Sequence, residues 1–188
     1  MHDSMSSDAV SMNDYTAGKA YISKTRFGQL CHARLNPGEE ASGKLVSLVR
    51  KNAKKIAEKQ KKDLIIIDGS PGIGCPVIAS IGGADLALII TEPTVSGIHD
   101  LKRILAVAEH FKVKPAVCIN KHDINQQKTR EIEKYCTKNK IMMIGKIPYN
   151  QDFTKAMVEG KTITEYTNGV IIKTVREIWD KTKSMLEP

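Results

Sequence analysis

Leu64-Ile65-Ile66-Ile67-Asp68-Gly69-Ser70-Pro71-Gly72 sets four consecutive apolar residues ahead of a carboxylate and a Gly/Pro turn. An unbroken apolar run is expected of a parallel strand covered on both faces, whereas a strand with one wet face alternates. Outward from it the pattern recurs. Apolar runs at Leu86 to Ile90, Pro115 to Ile119 and Ile141 to Ile147 are separated by helical patterns at Pro76 to Ile81, Ser96 to Phe111 and Gln126 to Asn139. Repeated strand–helix units predict an α/β fold, a mostly parallel sheet flanked by helices. In the Ser96 to Phe111 pattern, Ile98, Leu101, Leu105 and Ala108 fall on one face and are expected in the core. Two more helices are expected at about Gln151 to Glu159 and Gly169 to Met185. The second carries Ile171, Val175, Ile178 and Trp179 on one side, which suits docking on the sheet better than an amphipathic membrane anchor.

Upstream, residues 1–18 are rich in Ser, Asp and Met and read as a flexible leader to a domain covering 19–188. Tyr21 to Arg26 and Gln29 to Leu35 alternate around Gly28, predicting an N-terminal β-ribbon, and Asn36-Pro37-Gly38 predicts a turn. A helix is expected from about Ala41 to Gln60. Arg50, Lys51, Lys54, Lys55, Lys59, Lys61 and Lys62 crowd this segment, with Glu58 the one nearby acid. They read as the solvated face of a helix whose Leu45, Leu48, Val49, Ala53, Ile56 and Ala57 turn inward.

The 188 residues carry 29 Lys and Arg against 21 Asp and Glu, a formal charge of +8. With 41% hydrophobic and 27% charged residues, the chain has the composition of a folded domain and not of a disordered one. Aromatic residues make up 5%, and no stacking platform accompanies the basic stripe in the sequence, so it gives no strong nucleic-acid signal. The apolar runs are too short for a transmembrane segment and the opening lacks a signal-peptide core, so a cytoplasmic location is expected. Cys31, Cys75, Cys118 and Cys136 are isolated from one another, predicting reduced thiols and no Fe–S cluster in this chain.

In open α/β sheets ligands bind beyond the carboxyl ends of the strands. Asp68 is therefore a candidate to hold Mg²⁺ through a water, and Gly72 to offer a backbone N–H to a terminal phosphate. Asn120-Lys121-His122-Asp123 ends another apolar run, and Asn-Lys-x-Asp is a base-reading pattern. Asn120 can bond a purine edge, the Lys121 stem can cover the ring, and Asp123 can accept from guanine-type donors. Gly38-Glu39-Glu40-Ala41-Ser42-Gly43-Lys44-Leu45 has the Gly-x4-Gly-Lys spacing of a phosphate loop. However, Leu45 replaces the metal-binding hydroxyl and two glutamates occupy the anion nest, so it reads as a helix start with Ser42 a possible cap. Cys75 reads as an ordinary small residue at a helix start. The histidines show no metal-binding spacing.

Asp68-Gly-Ser-Pro-Gly-Ile-Gly-Cys-Pro-Val-Ile-Ala-Ser80, Gly83-Ala-Asp-Leu-Ala-Leu-Ile-Ile-Thr-Glu-Pro-Thr94, Ser96-Gly-Ile-His-Asp-Leu-Lys-Arg103 and Asn120-Lys-His-Asp123 occur in this order. Together they resemble the MinD/ParA/Mrp-like P-loop ATPases. Ser23-Lys-Thr-Arg-Phe-Gly28 and His32-Ala-Arg-Leu-Asn-Pro-Gly-Glu-Glu-Ala-Ser-Gly-Lys-Leu-Val46 resemble the branch of that family with an inserted ferredoxin domain. The family's Walker A loop, acidic switch I and Cys-rich cluster motifs do not occur here, and Ser70 stands where the family has proline. The resemblance thus implies the C-terminal portion of such a protein, a P-loop fold incomplete at its N-terminus. It implies ATP and Mg²⁺ as cofactors, with Asp68 holding Mg²⁺ through water, Gly72 in switch II, and Asn120 on adenine. Ile147 and Pro148 would line the base pocket, while Asp123 is the residue over which the adenine and guanine readings conflict. The implied role is an ATPase switch coupled to an iron–sulfur or redox partner, as a homodimer or with a separate Walker A/ferredoxin portion. No catalytic residue is assigned and this chain alone is expected to be inactive. A GTP-binding module and a non-enzymatic scaffold are the alternatives.

Overall fold

The computed structural model describes residues 16–40 and 42–187. Residues 1–15 of the expected 1–18 leader, and Ala41 at the expected helix start, lie outside the described residues, while Gly18 already begins a strand. Contacts divide the chain into a unit ending at Ile67 and another beginning at Asp68.

In the first unit, β1 (Gly18–Thr25) and β2 (Gly28–Leu35) pair antiparallel, placing Tyr21 opposite His32 and Lys19 opposite Arg34. Thr25 closes the turn: its hydroxyl donates to the Gly28 carbonyl at 2.9 Å and accepts from the Phe27 N–H at 3.1 Å. Gly28 has φ of 133°, a backbone conformation that L side chains rarely adopt. Helix α1 (Gly43–Gln60) packs on β2 and β1. Its Ala57 is buried and Val49, Ala53 and Ile56 are half-buried, while Lys51, Lys54, Lys55 and Lys59 stand in solvent. Leu48, expected to turn inward, is 46% exposed.

The run Leu64 to Ile67 forms no strand. A strand exists only as part of a hydrogen-bonded ladder, and among the described residues none pairs with this run. Leu64, Ile65 and Ile66 are exposed. Apolarity alone therefore did not make the first expected strand.

The second unit holds the parallel sheet. Its strands, β3 (Leu86–Thr91), β4 (Lys114–Asn120) and β5 (Met142–Ile147), lie in the order β3-β4-β5. Helices α2 (Cys75–Ile81), α3 (Val95–His110), α4 (Gln126–Lys138), α5 (Asp152–Val158), α6 (Ile163–Tyr166) and α7 (Val170–Ser184) accompany it. The short α6 has no counterpart in the sequence expectation. Its signal is a capping box, Thr162 with Glu165, reciprocally bonded at 2.8 Å and at the N3 backbone.

Strand β4 is covered on both sides. Val117 and Ile119 pack with Ile98, Leu101 and Leu105 of α3 and with Ile132 and Cys136 of α4. Ala116 and Cys118 face the other way, toward Ile144 of β5 and Ile178 of α7. Of the apolar residues expected on α7, Ile171 and Ile178 are buried and Trp179 is 40% exposed. Helix α7 thus docks on the sheet. The register shifts between Val117 and Cys118, a bulge that brings Gly145 beneath Ile178. A Cβ on Gly145 would overlap the Ile178 side chain.

Helices α3 and α4 end alike. Lys112 (φ 55°) and Lys140 (φ 55°) take the left-handed conformation, and the following N–H groups of Val113 and Ile141 reach back to Ala108 and Cys136 carbonyls at 2.9 Å. This is the Schellman arrangement, in which glycine is the usual residue. Each turn feeds the chain directly into β4 or β5.

Candidate functional site

The carboxyl end of β4 and the turn after β5 form one constellation. Asn120 is opposite Ile147 in the ladder. Two residues on, the His122 N–H donates to the Ile147 carbonyl at 3.1 Å, so the interstrand pairing continues into the Asn-Lys-x-Asp loop. The Tyr149 N–H then donates to Asp123 Oδ1 at 2.7 Å. From the helix side, the Thr129 hydroxyl donates to the His122 carbonyl at 2.7 Å and Asn125 caps α4 through the Lys128 N–H at 3.0 Å. The loop is thus held at both ends, with Asn120, Ile147 and Pro148 half-buried.

Asp123 has a role that its sequence pattern left open. The Tyr149 N–H stabilises its charged form and holds its carboxyl below the ordinary carboxylate value. It latches the loop to Tyr149 through one of its two oxygens.

Glu92, at the end of β3, was missed by the sequence assignment. Its Oε1 accepts from Lys121 Nζ at 2.8 Å and, more weakly, from Asn120 Nδ2 at 3.5 Å. The hydrogen bond to Glu92 raises the Lys121 pKa above its ordinary value. Lys121 also sits in the left-handed region with φ of 51°, a conformation uncommon for a non-glycine residue. The ion pair holds the lysine head against β3, and the Asn120 amide keeps hydrogen-bonding capacity for another group. The rule that singled out Asp68, a carboxylate at the end of an apolar strand, would also have found Glu92.

Asp68 and Gly72 stand apart from this network in the described hydrogen bonds. Asp68 is exposed and does not follow a paired strand. Gly72 has φ of 86° and open space where a Cβ would stand. That conformation requires glycine on backbone grounds and leaves room for a ligand to approach. Among the described residues no group of three His, Cys, Asp or Glu converges on a metal position. A cation near Asp68 would need water and phosphate oxygens for most of its coordination, as Mg²⁺ prefers. One exposed carboxylate fits that role.

Among the described residues from Gly38 to Leu45 no phosphate cradle forms. Ser42 is the N-cap of α1, accepting from the Leu45 N–H at 3.2 Å, and the Leu45 and Val46 N–H groups bond its carbonyl. Those donors are occupied by the helix start. Cys75 begins α2 and is exposed, whereas Cys118 and Cys136 are buried; burial raises both of the latter, Cys118 to about 11. All four cysteines are free.

No family model matches the sequence. An uncharacterized protein of Methanocaldococcus jannaschii is 30% identical over 157 residues, which are 84% of this chain and 51% of that protein. The septum site-determining protein MinD of Bacillus subtilis is 26% identical over 151 residues, 77% of this chain and 56% of that protein. Among solved structures, the MinD cell division protein of Aquifex aeolicus superposes with a TM-score of 0.66 at 20% identity, covering 87% of this chain and 68% of that one. The chain has the MinD fold. MinD of Pyrococcus horikoshii, solved with Mg-ADP, gives 0.59 at 15% identity, covering 78% of this chain and 60% of that one. The chain spans about half the length of the curated relatives it matches. Among the described residues of this MinD-like chain, no helix is long and apolar enough to cross a membrane.

Proposed function

We propose that residues 19–188, preceded by a leader, supply the base-recognition side of a MinD-type ATP switch. One observation carries this reading: within a MinD-like fold, the Asn120 to Asp123 loop is latched to the turn after β5 by the His122–Ile147 and Tyr149–Asp123 hydrogen bonds. Asn120 would meet the adenine edge, with Ile147 and Pro148 beside the ring. Asp68 would hold Mg²⁺ through water and Gly72 would sense the terminal phosphate. When bound, Mg²⁺ neutralises phosphate charge. The MinD structure solved with Mg-ADP supports adenine as the base.

In this reading the phosphate-binding side comes from another polypeptide portion, either covalently joined or in a dimer. Phosphoryl transfer depends on a loop that cradles the phosphates and neutralises their charge. The chain alone therefore has negligible ATPase activity, and the switch acts in the cytoplasm on an iron–sulfur or redox partner. Support for that coupling is the resemblance of residues 23–28 and 32–46 to the ferredoxin-containing branch.

The test is nuclear magnetic resonance titration of the full chain with adenosine, MgATP and MgGTP, followed at the Asn120 side-chain amide. Adenosine and MgATP should bind with similar weak affinity, shift that amide, and lose the effect in Asn120→Ala. MgATP binding far tighter than adenosine would reveal a phosphate site in the chain. A preference for MgGTP would establish the guanine reading, and no binding by any nucleotide would favour a scaffold.

A further inference from the structure

The positive charge is segregated between the two units. Residues 16–67 contain twelve Lys and Arg against four Asp and Glu, whereas residues 68–188 contain 17 against 14. Within residues 16–38 no acid occurs at all. The ribbon within this basic unit has a chemistry that neither strand shows by itself.

Directly opposed residues of an antiparallel pair share a face, as do residues two apart along a strand. One ribbon face therefore carries three successive rows: Lys19 with Arg34, Tyr21 with His32, and Ser23 with Leu30. The Tyr21 and His32 rings stack at a centroid distance of 5.3 Å and an interplanar angle of 22°. Ser23 Oγ lies 2.9 Å from His32 Nε2, fixing the imidazole in the stack. Tyr21 is 41% exposed and Leu30 49% exposed, while His32 is half-buried, so the Tyr21 ring is the open member of the stack. Beside it, Lys19 and Arg34 face each other across the strands and are exposed. Like charges directly opposed weaken a ribbon, and an anion seated between them removes that cost. At the turn, Phe27 is 68% exposed with the Arg26 guanidinium 4.5 Å from its ring centre.

We propose that this ribbon face binds single-stranded nucleic acid. The Tyr21–His32 stack receives a base, and Lys19 and Arg34 receive the adjoining phosphates. A stack alone would suit many partners, and charge alone would suit an acidic protein. An ordered aromatic stack next to a paired cationic row is the combination by which strands bind single-stranded polynucleotides with little sequence preference. Duplex DNA hides its base faces and would use only the cationic row. This inference is independent of the nucleotide site, since it involves neither the loop at Asn120 nor Asp68.

The experiment is fluorescence anisotropy of the full chain with labelled oligothymidylate of about 20 nucleotides, at several salt concentrations. Single strands should bind more tightly than a duplex of equal length. Tyr21→Ala should weaken the single-strand complex roughly tenfold, by loss of one stacked base, while Tyr21→Trp retains it. Changing Lys19→Gln and Arg34→Gln together should reduce the slope of log affinity against log salt by about 1.4, two phosphates at about 0.7 each. Far-ultraviolet circular dichroism checks folding, and the Trp variant separates loss of stacking from loss of structure. Three results overturn the proposal: no binding at low salt, duplex preferred with Tyr21→Ala silent, or equal displacement by polyglutamate. The last would identify an acidic protein surface as the partner.

Discussion

Leu64 to Ile67 and Ala116 to Ile119 are four-residue apolar runs, each ending at a polar candidate for nucleotide chemistry, Asp68 and Asn120. The second run is 0% exposed throughout and lies between two paired strands with helices on both faces. The first has no ladder among the described residues, and its Ile66 is 75% exposed. An apolar run becomes a strand when neighbours take its backbone hydrogen bonds and cover its side chains. Its own composition supplies only the motive. The difference reaches the two candidate residues: Asn120 is held by its register with Ile147 and by Glu92, while Asp68 has no paired strand to position it.

The largest effect that would sharpen this comparison is truncation in the covered run. Ile119→Ala should lower unfolding free energy by about 2–5 kcal/mol, through lost burial and a cavity that α3 and α4 cannot fill. Ile65→Ala should cost under about 0.5 kcal/mol, as expected of an exposed side chain. Urea denaturation of the two variants measures both. Equal costs would break the contrast and place Leu64 to Ile67 in a ladder in the working protein.

Gly145→Ala tests the cover over β4 and β5. The added methyl meets Ile178 of α7, so a loss of about 1–3 kcal/mol is expected, with altered packing of α7. Thermal unfolding checks the loss, and a neutral result would mean that α7 moves off the sheet freely. A smaller effect of opposite sign is expected at the entry to β5. Lys140→Gly relieves a left-handed lysine and should stabilise by about 0.5–1 kcal/mol, less what glycine adds to the entropy of the unfolded chain. No gain in the urea midpoint would mean that this turn carries no strain.

The smallest effect is local and pH-dependent. The native Asp123 carboxyl lies below its ordinary value because the Tyr149 N–H favours the charged form. Its contribution is therefore complete above the unfolded value of about 3.9 and is lost as pH falls through the lower native value. The Tyr149 amide resonance should move across that acid range and lose the transition in Asp123→Ala. An amide indifferent to pH there would show that the latch is absent in solution.

Much of this molecule was legible before its structure. Periodicity located α3 and α4 to within a residue or two, and the unbroken run at residues 115–119 announced a doubly covered strand. It did so because helix and strand periods are local properties that a sequence displays directly. The Gly38 to Leu45 decoy was also readable, since glutamates and a missing hydroxyl are unsuited to an anion nest. Glu92 was legible as a carboxylate at a strand end, but its pairing with Asn120 and Lys121 was not, because only adjacent strand ends bring these residues together. The bond from Asp123 to the Tyr149 N–H was not legible, because the chain beyond β5 presents that N–H from 26 residues away.

By itself, the sequence determined the alternation of strands and helices, the core face of α3, the cap of α1, and the residues at the ends of β4 and β5. Those follow from side-chain chemistry and short-range spacing. The tertiary structure alone decided which apolar run joined the sheet, that Asp123 serves as a latch, and that Tyr21 and His32 stack beside Lys19 and Arg34. Each depends on groups distant in the chain being brought within hydrogen-bonding or van der Waals reach, and pairing register and packing set that proximity.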